Sequence, residues 1–363
     1  MADYRVPALP LDGDFESKAI LKRLVSAHRY LAELKGVVAT IPNESILIST
    51  LSLQEAKDSS EIENIIATHD ELFKAALFED VLKDSAAKEV GQYASALREG
   101  YRRVSQTGLL TNNHIIAIQN ELEQNSAGFR KLPGTTLKNE TTGEVIYTPP
   151  QGFETIQSLM ENLEQYINNN DLCQLDPLTK MAIIHHQFES IHPFYDGNGR
   201  TGRIICILYL YAQKLLQLPV LYLSRYIIQN KDAYYRLLQD TRDTGDYEAW
   251  IIYMLLGIEN TSRQTIQIIK NIREIMADYK LRIRRDLPKI YSQDLLNNLF
   301  RHPYTKIEFL QKDIRKSRLT ATKYLEILTN EGFLEKQKFG RYNFYINMPL
   351  LNALTNLPRM DNE

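Results

Sequence analysis

Twelve consecutive residues hold the side chains best suited to chemistry: His192-Pro193-Phe194-Tyr195-Asp196-Gly197-Asn198-Gly199-Arg200-Thr201-Gly202-Arg203. His192 has the side chain whose proton affinity lies nearest neutral pH, so it can take a proton from a reacting hydroxyl. Asp196 is a hard oxygen ligand, suited to a Mg²⁺ that bridges phosphates. The two glycines around Asn198 let the backbone turn tightly with its N–H groups facing outward. At a helix N-terminus such groups cradle an anion. Arg200 and Arg203 follow at once, and each offers a planar fork that suits phosphate. A base, a metal ligand and a phosphate cradle in one short stretch point to phosphoryl or nucleotidyl transfer.

The elements that must position this stretch are helices. MAIIHHQFESI before it has a helical pattern, and IICILYLYA after it reads as an apolar helix with Arg200 and Arg203 on its first turn. From Ser17 to about Gly128 apolar residues recur at three- and four-residue spacing, as in Ile20, Leu21, Leu24 and Val25 and later Ala75, Ala76 and Leu77. Between Leu132 and Phe153 the chain turns rich in Thr, Gly and Pro. There Val145, Ile146 and Tyr147 are β-prone, and Asn139 and Gly143 supply turn chemistry, which predicts a hairpin. Helical pattern resumes near Glu154 and runs to about Arg285. The tail then reads as helices at Ser292–Phe300, Thr305–Lys312 and Thr320–Glu331, followed by a hairpin across Gly332–Ile346 with Gly340 at its turn. That is the order of a winged helix. The expected organisation is mainly α: an N-terminal helical region over 1–110, a catalytic domain over 111–260, a helical linker over 261–285, a winged-helix-like domain over 286–350 and a tail over 351–363.

Composition sets bounds on this reading. The chain has 363 residues, 44% hydrophobic and 24% charged, with a net charge of −2, ordinary values for a globular protein of two or three domains. Leu281 to Asn347 departs from that balance, with fourteen Lys or Arg against seven Asp or Glu. Two distant cysteines, Cys173 and Cys206, with no metal-ligand cluster near either, argue against a disulfide framework or a zinc site. The N-terminal residues lack a basic region followed by an apolar core, and Ile204–Leu218 is too short and polar to span a bilayer. A cytoplasmic location and no membrane partner are expected.

The segment His192–Arg203 resembles the signature HPFx[D/E]GNGRxxR of the Fic family at every fixed position. The resemblance implies a helical domain built around this loop and transfer of AMP from ATP to a protein Ser, Thr or Tyr hydroxyl. By that resemblance His192 is the general base and Asp196 holds Mg²⁺ or Mn²⁺ on the α- and β-phosphates. Backbone N–H groups of Gly197 to Gly199, with the Asn198 side chain, line the anion hole, and Thr201 and Gly202 are also at the ATP site. Arg203 pairs with the γ-phosphate and Arg200 braces the loop. Gly199 stands where the family's kinase-like branch has Lys, which favours AMP transfer. Val145, Ile146, Tyr147 and Thr148 resemble the Fic flap, a hairpin whose edge aligns the target by strand addition. Tyr234 and Tyr235 match a Tyr pair near the adenine. Upstream, Ser59-Ser60-Glu61-Ile62-Glu63-Asn64 resembles the inhibitory motif [S/T]xxxE[G/N] of class II members, in which the Glu reaches the active site and engages the second Arg, here Arg203.

Two other readings stand beside this one. Glu63 could orient a water and remove AMP from modified targets. The chain could instead be a DNA-binding regulator whose Fic domain senses a nucleotide. On the tail, Lys316, Arg318 and Lys323 near the recognition helix, with Lys336, Lys338 and Arg341 on the wing, would contact phosphates. The partners expected are a hydroxyl-bearing protein on the flap, a second copy of the chain, and DNA or a protein at the winged helix.

Overall fold

The computed structural model describes residues 4–41, 43–75, 85–138, 142–339 and 342–356. The N-terminal region holds α1 (Lys18–Val38), α2 (Glu44–Ile62), α3 (His69–Ala75) and α4 (Ser85–Thr107). The central region follows with α5 (Asn112–Glu123), the hairpin β1 (Leu137–Lys138) and β2 (Val145–Tyr147), α6 (Phe153–Asn168), α7 (Pro177–Ile191), α8 (Asn198–Ala212), α9 (Leu223–Gln229) and α10 (Lys231–Thr244). Helix starts follow from local chemistry: Ser17, Asn43, Thr111 and Asp176 each turn a side-chain oxygen onto a first-turn amide. Asp176 is followed at once by Pro177, whose fixed φ suits a first helical position.

The core is helix on helix. Every residue of α7 from Leu178 to Ile191 is buried, so this helix runs through the centre of the domain. In α1 the inward stripe is Ile20, Leu24, Ala27, Leu31 and Leu34, whereas Leu21 and Val25 face solvent. Ala76, Leu77 and Asn139 lie outside the described residues, and Gly143 takes the positive φ of 71° that a turn requires.

The predicted linker is not a separate element. Helix α11 runs unbroken from Glu248 to Asp286, 39 residues and about 58 Å at 1.5 Å per residue. The boundary placed at residue 260 falls inside it, because its buried stripe continues past that point through Thr265, Ile269, Ile272 and Met276. Beyond it come α12 (Gln293–Arg301), β3 (Tyr304–Thr305), α13 (Ile307–Ile314), α14 (Arg318–Asn330), β4 (Glu335–Phe339), β5 (Tyr342–Ile346) and α15 (Met348–Thr355). The wing is three-stranded, in the order β3-β5-β4 and antiparallel throughout. The sequence pattern predicts Thr305 in a helix; instead Tyr304 and Thr305 pair with Ile346 and Tyr345. Gly340, expected at the hairpin's turn, and Arg341 lie outside the described residues.

This C-terminal unit packs on the N-terminal region. The Phe73 ring of α3 lies 6.0 Å from Tyr304 and 5.3 Å from His302, and Tyr304 donates a hydrogen bond to Asp70. Helix α12 also touches α2, the helix that leads to Glu63.

Candidate active site

His192 ends α7 in the left-handed conformation, φ 49° and ψ 60°, with its amide bonded to the Phe188 carbonyl. Gly197, φ 76°, opens α8 on the far side of the turn. Between them the chain reverses sharply, and the Asn198 amide holds the reversal. Its Oδ1 accepts from the Phe194 amide at 2.8 Å, and its Nδ2 donates to the Phe194 carbonyl at 2.9 Å. This revises the role expected of Asn198. The side chain staples the loop, with both its polar atoms engaged by the Phe194 backbone.

Around this turn lies a cleft of about 380 Å³, lined by residues that include Glu63, Glu89, His192, Asp196, Gly199 and Arg200. Burial, then the charges of Arg130 and Arg242, push the His192 imidazole down to about 4. It is therefore neutral at pH 7 and free to accept a proton. Asp196 is exposed beside it and gives one oxygen to the Gly197 amide at 2.7 Å. Glu189, one turn before His192, is buried, and this raises its carboxyl to about 7.

The two arginines are both occupied. Arg200 donates from Nη2 to Glu123 Oε1 at 2.7 Å, with Glu89 a further 3.8 Å neighbour of Nη1. Arg203 falls in the second turn of α8, not the first, and is fully buried. Its Nε donates to Ser59 Oγ at 2.8 Å, and its Nη2 donates to the Ser59 carbonyl at 2.9 Å and to Glu63 Oε1 at 2.8 Å. Burial works against its charge, but Glu63 and nearby tyrosines more than offset this and hold its pKa above the ordinary value. Ser59 lies on α2, and Glu63 is the residue just past the helix end, with Asn64 next in the left-handed region. The Glu63 carboxylate lies over the first turn of α8: a Cβ added to Gly199 would stand 2.5 Å from its Oε1. A carboxylate is well placed where helix N–H groups point outward.

The other expected site residues divide. Thr201 and Gly202 are buried beneath the loop, and a Cβ at Gly202 would meet Glu189, Phe188 and His185, so that glycine permits α7 and α8 to approach. Tyr234 is core: its hydroxyl and His185 Nε2 are 2.8 Å apart, and its ring packs on Trp250 and Tyr253. Tyr234 is buried, whereas Tyr235 is half-exposed. On the hairpin Val145, Ile146 and Thr148 face outward. Tyr147 faces inward, donates to the Ser190 carbonyl at 2.7 Å and lies under the Arg242 guanidinium, so only its main chain is open to a partner.

Three site residues escaped the sequence reading. Arg130 ties itself to the His192 carbonyl, Glu123 holds Arg200, and Glu189 sits behind the cradle. Each looks like an ordinary charged residue in sequence; the only available signal was charge inside otherwise apolar helical pattern, as at Glu189.

Comparison with known proteins agrees with this architecture. Residues 21–102 match the model of the Fic/DOC family N-terminal region, residues 109–210 that of the Fic/DOC family, and residues 275–350 that of the protein adenylyltransferase SoFic-like C-terminal domain. A probable protein adenylyltransferase of Aquifex aeolicus is 29% identical over 187 residues, which is 50% of this chain and 55% of that one. The protein adenylyltransferase Fic of Drosophila erecta is 38% identical over 56 residues, 15% of this chain and 11% of that one. The chain thus spans about half the length of the first relative and a small part of the second. Among solved structures, a Fic family protein from Desulfovibrio desulfuricans G20 superposes with a TM-score of 0.57 at 18% identity, covering 93% of this chain and 98% of that one. Fic-1 from C. elegans gives 0.53 at 18%, covering 68% and 71%. The fold is shared with both, and by the three matched segments the chain belongs to the Fic/DOC family, its Fic domain set between that family's N-terminal region and a SoFic-like C-terminal domain.

Proposed function

We propose that this chain transfers AMP from ATP to a Ser, Thr or Tyr hydroxyl of a protein, itself included, and that Glu63 restrains the transfer. The observation that carries the reading is the meeting of a neutral His192, the glycine turn and Glu63 around one cleft, with the buried Arg203 bonded to Glu63 behind it. His192 takes the proton of the attacking hydroxyl. The hydroxyl oxygen bonds to the α-phosphorus as the bond to the pyrophosphate oxygen breaks. Backbone amides at the start of α8 and the Arg203 guanidinium, once free, stabilise the phosphate charge.

Asp196 suits Mg²⁺ or Mn²⁺. It is an exposed carboxylate in the cleft, and the described residues hold no cluster of three His, Cys, Asp or Glu that could cage a metal alone. A single carboxylate shared with substrate phosphates is how Mg²⁺ is commonly held. The metal would neutralise phosphate charge.

Glu63 supports the restraint in two ways. It occupies a donor of Arg203, and its carboxylate lies on the helix turn that would otherwise meet a phosphate. A second reading has one observation in its favour: Glu63 is partly exposed in the same cleft as His192 and could orient a water for AMP removal. Incubation with ATP labelled at the α- or the γ-phosphate tests the main reading. Label from the α-position on protein supports it; label from the γ-position overturns it in favour of phosphorylation. Release of AMP from pre-modified protein would favour the second reading.

A further inference from the structure

The flap hairpin is tied to the loop that carries His192 through Arg130, which holds both of its ends. At its entry, Arg130 donates from Nε to the His192 carbonyl at 2.8 Å and from its amide to the Pro193 carbonyl at 2.8 Å. The same guanidinium reaches the Pro150 carbonyl at the hairpin's exit. Tyr147 adds its bond to the Ser190 carbonyl. Tyr195 completes the grip: its hydroxyl accepts the amides of Lys131 at 2.9 Å and Leu132 at 3.0 Å.

Tyr195 is unlike the other members of this set. Arg130 and Tyr147 are buried, and their loss would disturb the core. The Tyr195 side chain is 48% exposed and lines the cleft, so it contributes little to packing. Its oxygen is nevertheless committed to two backbone donors on the segment that leads into β1. A residue kept for packing would not be half in solvent; one kept for solubility would not hold two amides.

We propose that the Tyr195 hydroxyl is a positioning group that fixes the distance between the target-docking edge of β2 and His192, and so places the acceptor hydroxyl at the base. This rests on the AMP-transfer reading. The physical reason is leverage. Without the two Tyr195 bonds, the entry segment beyond Arg130 loses its ties to the turn and can shift, while Arg130 still holds its own position and the exit at Pro150. Misplacement of a reactant by an ångström can cost about 100-fold in rate.

The test uses the full chain in a Glu63→Gly background, with full-length His192→Ala protein as acceptor at varied concentration and α-labelled ATP. Tyr195→Phe keeps the ring and removes only the hydroxyl, so folding is not at stake. Expected is a fall of about tenfold or more in kcat/KM for the acceptor, with the KM for ATP within about twofold. An unchanged acceptor kcat/KM, or an equal loss on the ATP side, overturns the proposal. Amide hydrogen exchange provides a readout that needs no catalysis: Tyr195→Phe should speed exchange at Lys131, Leu132 and β2 but not in α8. Unchanged exchange there overturns the clamp. If the Glu63→Gly chain transfers no AMP to any acceptor, the proposed function falls, and the exchange result still decides whether Tyr195 holds the flap.

Discussion

Glu63 and Arg203 stand 140 residues apart in the chain and 2.8 Å apart in the fold. Arg203 is 1% exposed and its partner 35%, so a buried cation is answered by a carboxylate that can still reach solvent. Such a contact can open without unfolding the domain. Glu63→Gly should raise transfer by about tenfold or more, since one charge-assisted bond to a γ-phosphate is of order 1.5–3 kcal/mol. Glu61→Ala should change little, because Glu61 pairs with Lys57 and not with the cleft. Adding Arg203→Ala to Glu63→Gly should return the rate to background. Initial rates with α-labelled ATP under one condition decide; equal rates for wild type and Glu63→Gly would remove Glu63 from control.

His192→Ala should lower transfer by about 10²- to 10⁴-fold while the far-UV spectrum stays native. The imidazole is held near 4, below its ordinary 6.5, so it gains a proton only well into acid. In the Glu63→Gly background the rate should therefore stay flat from pH 7 to about 5. A half-loss near 6.5 would mean that His192 is not the base or is not buried during turnover.

Asp196→Asn should weaken dependence on Mg²⁺ or Mn²⁺ and cut transfer at a fixed metal concentration, with thermal stability little changed because the side chain is exposed. Titration of activity against metal, with pyrophosphate release as a parallel signal, checks this. Full activity in excess chelator would exclude the role given to Asp196.

Glu55 offers a stability test away from the cleft. It lies buried on α2, and burial raises its carboxyl to about 8 while Ser224 works the other way. Tyr93 and Ser224 donate hydrogen bonds to it. Unfolded, it titrates near 4.5. Between 4.5 and 8 the folded chain keeps a proton that the unfolded chain has released. The stability from Glu55 is thus complete below 4.5 and lost as pH rises through 8. Glu55→Gln has no proton to lose, so its Tm relative to wild type should rise from pH 5 to 8.5. A difference independent of pH would show that Glu55 is ionised in the fold.

The C-terminal domain has fewer free cations than its composition suggests, since Arg318 pairs with Glu308 and Lys336 with Glu326. Lys316, Lys323 and Lys338 remain exposed. If these meet duplex DNA, anisotropy should report binding that falls steeply between 50 and 200 mM salt and is lost in a Lys316→Glu, Lys323→Glu chain. No binding at low salt would leave the domain a packing or protein-docking role.

The residue types of the turn, and the turn itself, are legible in the sequence alone. His192, the glycines and Asp196 are contiguous, and a glycine turn at a helix start needs no distant partner to aim its amides outward. The hairpin and the wing were legible for the same reason, because turn residues and β-prone runs act locally. Tertiary structure decided which of those groups are available. Asn198 spends its side chain on Phe194, Tyr147 turns inward, Tyr234 joins the core, and Arg200 is taken by Glu123. It also brought Tyr304 into the sheet and carried α11 through the expected linker. These outcomes follow from burial: a polar group enclosed by helices must find a partner where the packing places one, and that place is set by chains far apart in sequence.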